Sequence, residues 1–129
     1  MSRLQAQLIF YVRDQETSAR FYQAVLAAPP VLDVPGMTQF ALGDAILGLM
    51  PEAGIVRLLG SDLPDPASAR GVPRAELYLV VDDPAAYQRR ALSAGARELS
   101  PLLPRSWGDS ASYALDPDGH VLAFARAIA

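Results

Sequence analysis

The sequence predicts an α+β fold of two tandem β-α-β-β-β modules in a single domain, and three observations predict it. One strand-like segment occurs twice: Gln7-Leu8-Ile9-Phe10-Tyr11-Val12-Arg13-Asp14 lies over Glu76-Leu77-Tyr78-Leu79-Val80-Val81-Asp82-Asp83 at one constant offset. Each copy runs into a segment with helical spacing of apolar residues, and each half closes on a hairpin. Hairpin-joined strands with helices to one side give a layered α+β arrangement, unlike the alternation that builds a doubly wound parallel sheet.

The opening strands are rich in β-branched and aromatic residues and end on an aspartate, the side chain suited to the free N–H groups at a helix start. Ala19, Tyr22, Val25 and Leu26, widened by Phe21, place the first helix over Gln15 to Leu26. Pro84 at a helix start and Gly95 just past a helix end bracket the second over Pro84 to Ala94, with Tyr87, Ala91 and Leu92 facing inward. Phe40-Ala41-Leu42 and Ala45-Ile46-Leu47-Gly48-Leu49 read as a hairpin about Gly43-Asp44. They are matched to Tyr113-Ala114-Leu115 and His120-Val121-Leu122-Ala123-Phe124 about Asp116-Pro117-Asp118-Gly119. The strand before each hairpin is placed at Val31 to Val34 and at Arg97 to Leu103. The expected division is a first module over 1–53, a linker over 54–73 with a helical turn at Ile55 to Leu59, and a second module over 74–129.

Composition narrows the function. The chain has 129 residues, 51% apolar and 19% charged, enough for one packed core. A formal charge of -3 provides no positive field to meet phosphate, so nucleic acid and anionic membranes are not expected partners. All 11 positive residues are arginine, read as a coding bias. With no cysteine there is neither a disulfide framework nor a thiolate nucleophile or ligand, and a single histidine rules out a histidine-rich metal site. No signal-peptide pattern opens the chain and no run approaches the ~20 apolar residues of a membrane span, so the expected location is the cytoplasm.

Val12 to Asp14 followed by Phe21-Tyr22, Val81 to Asp83, Trp107-Gly108 and the closing Asp116-Pro117-Asp118-Gly119-His120, in that order, resemble the glyoxalase, bleomycin-resistance and extradiol-dioxygenase (vicinal oxygen chelate) superfamily over essentially the whole chain. The bleomycin-resistance-like branch is the most similar in look. The resemblance implies that each module curls into a half-barrel, that two modules, within a chain or across a swapped dimer, enclose a cavity, and that the chain forms a homodimer. Metal-using members take one ligand from the first and one from the last strand of each module. Here those positions are Gln7, Gly48, Glu76 and Ala123. Strand alternation places Gln7, Ile9 and Tyr11, and Glu76, Tyr78 and Val80, on the cavity side, with the Leu8, Phe10 and Val12 face under the helices.

A catalytic divalent ion needs about three protein ligands. Only Gln7 and Glu76 offer donors at the four positions, so the expected cofactor is none. The alternative is a divalent metal on Gln7 and Glu76 serving a lyase, isomerase or dioxygenase, as in lactoylglutathione-lyase-like members. Small residues at Gly48 and Ala123 leave room for a small organic molecule, framed by Gln7, Tyr11, Glu76, Tyr78 and Trp107, as in proteins that sequester a drug. The bland counterpart is that glycine and alanine only permit close packing. Glu76 is the candidate general base if burial raises its pKa; otherwise it is a structural partner of Gln7 or an arginine. Arg105 is a candidate for an anionic group beside Trp107, and His120 is read as a cap on the Asp116 to Gly119 turn.

Overall fold

A computed structural model describes residues 4–128. The elements run β1 (Gln7–Val12), α1 (Gln15–Leu26), β2 (Leu32–Val34), β3 (Met37–Leu42), β4 (Ala45–Pro51), α2 (Glu52–Leu59), β5 (Glu76–Val80), α3 (Pro84–Ser93), β6 (Arg97–Pro104), β7 (Asp109–Leu115) and β8 (Val121–Ala127), with 3-10 turns at Gly60–Asp62 and Pro66–Ala69. The strands form two four-stranded sheets of the same order, β1-β4-β3-β2 and β5-β8-β7-β6. In each, the first strand pairs parallel with the last, and the other pairs are antiparallel. The chain divides into two compact units at Arg70/Gly71. No helix among the described residues is long and apolar enough to cross a membrane.

In the first unit, Phe10 and Val12 of β1, Phe40 of β3 and Leu47 and Leu49 of β4 are buried, as are Phe21 and Tyr22 of α1. Phe21 and Tyr22 meet edge to face at 5.0 Å, and the Tyr22 ring lies 6.2 Å from Phe10. Each such side chain taken from water contributes about 1.5–3 kcal/mol. Leu8 shares their face but remains 40% exposed on the edge strand. Gln15 ties α1 to the β2–β3 hairpin: its amide donates to the Val34 carbonyl and the Thr38 hydroxyl and accepts from the Gly36 N–H. The expected linker begins two residues inside a helix, because α2 continues directly from β4 and buries Ile55.

In the second unit, α3 turns Pro84, Gln88 and Ala91 inward at helical spacing, and Tyr87 packs on Phe124 with ring centroids 5.6 Å apart. Buried Gln88 had no expected role. Its amide donates to the Glu98 carboxylate at 3.1 Å and to the Tyr113 carbonyl at 3.2 Å, so α3 is pinned to β6 and β7 by polar bonds as well as by packing.

The two helix starts differ although both follow an aspartate. Asp83 accepts the Ala86 N–H at 3.2 Å, as its position suggests. Asp14 makes no backbone cap; its carboxylate takes the Thr17 hydroxyl instead, because a threonine stands three residues on where the second unit has Ala86. The Thr17 bond, more than the nearby backbone and Arg20, holds Asp14 below the ordinary carboxylate range.

One alignment is corrected. The last strands match as expected: Ile9 pairs with Gly48, and Tyr78 with Ala123. The strands before them do not, because Phe40 pairs with Leu47 on the core face while Tyr113 pairs with Ala123 on the opposite face. Structurally it is Ala114, buried and paired with Leu122, that stands where Phe40 does. Leu42 and Ala45 flank a short turn and Leu115 and Val121 a longer one, and an odd difference in loop length moves every side chain of the strand to the other face.

Candidate functional site

Residues that pair across neighbouring strands share a face, so the register defines what each sheet presents away from its helix. In the first unit that face carries Gln7, Ile9 and Tyr11 on β1, Ile46, Gly48 and Met50 on β4, and Gln39 and Ala41 on β3. Gly48 is buried, and a Cβ built on it would stand 2.6 Å from the Gln7 amide nitrogen, 3.1 Å from the Met37 sulfur and 3.2 Å from Ile9. The room that glycine leaves is thus occupied by the chain's own side chains. Tyr11 lies four residues along the strand from Gln7, roughly 13 Å away.

In the second unit the corresponding face carries Glu76, Tyr78 and Val80 on β5, Val121, Ala123 and Ala125 on β8, and Asp109, Ala111 and Tyr113 on β7. Tyr78 donates its phenol proton to Asp109 Oδ2 at 2.5 Å. Because β8 lies between β5 and β7, the phenol has to cross β8, where Ala123 and Ala125 raise nothing taller than a methyl group. Both alanines are fully buried. Ala123 therefore offers no open volume; its smallness lets Tyr78 reach Asp109.

Trp107 completes the chain of bonds. It stands in the turn between β6 and β7, closed by the Arg105 N–H to Asp109 carbonyl bond at 2.7 Å and by Gly108 at a φ of +97°, a conformation glycine adopts freely. Its indole N–H donates to the Tyr78 oxygen at 3.0 Å, and the ring remains 59% exposed. Partial burial first, and then the bond to Asp109, raise the Tyr78 pKa above the ordinary tyrosine value; the Trp107 bond acts against them. Tyr78 and Trp107, chosen from the sequence, are in direct contact. Asp109, which takes the Tyr78 proton at the end of the chain, was not foreseen, and its place at the first residue of a strand after Trp107-Gly108 is the one signal that pointed to it.

Other candidates fall elsewhere. Arg105 does not reach out for an anion: its Nε and Nη2 donate to the Ala111 carbonyl, Nη2 also meets Ser100 Oγ at 2.6 Å, and the guanidinium covers the Tyr113 ring at 5.1 Å. His120 caps its turn as expected, with Nδ1 2.9 Å from Asp116 Oδ2, while Asp116 Oδ1 accepts the N–H groups of Asp118 and His120. Glu76 is exposed at the start of β5. Water reaches it there, so the burial on which that role was conditioned is absent from this unit.

The donor set does not fit the metal of the superfamily's enzymes. Gly48 and Ala123 bring no heteroatom side chain, the Gln7 amide is folded over Gly48, and among the described residues no group of three or more histidines and carboxylates is placed to hold a cation.

Comparison with known proteins agrees with the architecture. The Glyoxalase-like domain family matches residues 7–125, and the chain belongs to that family. It is 31% identical over 117 residues to Uncharacterized protein Mb0911c of Mycobacterium bovis, covering 84% of this chain and 74% of that one. The same identity holds for Uncharacterized protein Rv0887c of Mycobacterium tuberculosis, of which the chain spans only 66%, just under two thirds. Among solved structures, a glyoxalase-related enzyme from Fulvimarina pelagi superposes with a TM-score of 0.80 at 23% identity, over 98% of this chain and 88% of that one. A glyoxalase/bleomycin resistance protein/dioxygenase family enzyme from Burkholderia phytofirmans PsJN gives 0.78 at 19% identity, over 95% and 98%. At these identities the structures establish the shared fold.

Proposed function

We propose that this Glyoxalase-like domain protein binds a small organic compound without a metal ion, sequestering it in the manner of the drug-binding members of the superfamily, and that it does so in the cytoplasm as a homodimer. The observation that carries the reading is Trp107. A large aromatic ring, more than half exposed, is costly to leave in water, and here it is also fixed in place by the Tyr78–Asp109 chain. An aromatic surface held rigid before a ligand arrives loses little entropy on binding. The ligand contacts centre on Trp107, Tyr78 and Asp109, with Glu76 at the rim.

Three measurements test this. Metal analysis of protein purified without chelator should find no stoichiometric nickel, zinc, iron or manganese; finding one would favour a metal-dependent lyase, isomerase or dioxygenase. Trp107 is the single tryptophan, so one indole N–H resonance reports on the site. It should shift saturably with a member of a panel of glycopeptide drugs, aromatic diols and thiol conjugates. A resonance that no compound moves removes the proposal. Light scattering at twice the mass of the chain would support the dimer.

A further inference from the structure

We infer that the ligand of this site is a planar organic cation carrying N–H groups, an amidinium or guanidinium on an aromatic frame. The inference rests on the small-molecule reading above and follows from an account of donors and acceptors. Trp107 gives its one N–H to Tyr78, and Tyr78 gives its one O–H to Asp109. The chain therefore ends on a carboxylate, and both of its neutral donors are used up inside the protein.

Asp109 is only partly buried, and its Oδ1 accepts no hydrogen bond among the described residues, whereas Oδ2 is taken by Tyr78. Arg105, the nearest cation along the chain, does not neutralise it, because its Nε and Nη2 are spent on Ala111, Ser100 and Pro101. A free carboxylate oxygen thus stands one phenol oxygen away from the indole of Trp107. An aromatic face attracts a cation through its quadrupole, and a carboxylate favours a donor with positive charge. A neutral acceptor or an anion meets repulsion from Asp109 and finds no donor in the Trp107–Tyr78 chain. The net charge of -3 acts in the same sense at long range.

The test titrates the Trp107 indole resonance of the full chain with benzamidinium, neutral benzamide and anionic benzoate, three probes of nearly one shape. Benzamidinium should bind about tenfold more tightly than benzamide, the worth of one charge-assisted contact, with benzoate weakest. Asp109→Asn should bring benzamidinium and benzamide to the same affinity. If benzamide or benzoate binds as tightly as benzamidinium, the small-molecule reading stands and the cation inference is overturned. If none of the three moves the resonance, the cation inference falls, and the small-molecule reading falls with it only if the wider panel also leaves the resonance in place. Should Asp109→Asn not fold, the ranking of the three probes on the unaltered protein still decides.

Discussion

The two modules have the same strand order and the same pairing of first strand to last, yet they use that frame for different contacts. In each, a small residue on the last strand lies under a side chain from the first: Gly48 under the Gln7 amide, and Ala123 with Ala125 under the Tyr78 phenol. In the first module the covering group is a flexible amide end. In the second it is a rigid ring bonded to Asp109 and Trp107. A shared topology therefore fixes where side chains can meet, and the residue at each meeting point decides whether the result is packing or a preorganised polar cluster.

The largest effect should test the sameness of the frame. Leu47→Ala and Leu122→Ala remove side chains that are buried at equivalent register positions, and each should cost about 2–5 kcal/mol in urea unfolding. A cost confined to one of them would show that only one module carries the cooperative core.

The next contrast concerns the covered positions. Ala125→Leu would obstruct the path of Tyr78 across β8 and should cost about 1–3 kcal/mol while releasing Trp107 from its bond. Gly48→Ala must push aside the flexible Gln7 amide and crowds the Met37 sulfur and Ile9 Cγ1, and should cost about 1 kcal/mol, less than Ala125→Leu. Equal costs would remove the distinction between the modules.

A smaller effect lies in the alkaline range. The folded state holds the Tyr78 proton more tightly than the unfolded chain does, so its contribution is complete below the ordinary tyrosine pKa near 10 and is lost as pH rises through the raised value. The late-titrating part of the tyrosinate absorbance should be smaller by one group in Tyr78→Phe.

The smallest belongs to Asp14. Its depressed pKa gives stability present above the ordinary carboxylate value and lost as pH falls through the lowered one. Thr17→Val should move the Asp14 titration, followed by NMR, back up towards the ordinary range.

Periodicity and turn residues alone determined most of the fold. Helix α1 occupies the expected Gln15–Leu26, β6 runs one residue beyond the expected Leu103, and both hairpins stand where their turn residues put them. These features are local: a strand alternates, a helix repeats every few residues, and glycine or proline marks the ends. The face of β3 relative to β7 was not legible, because a one-residue slip between copies leaves composition intact while exchanging the two faces. Nor was the use of Gly48 and Ala123, since a small side chain reads equally as room for a ligand or room for a neighbour. Tertiary structure decided that, by bringing Tyr78 over β8 to an aspartate 31 residues further along the chain, a meeting no local pattern encodes.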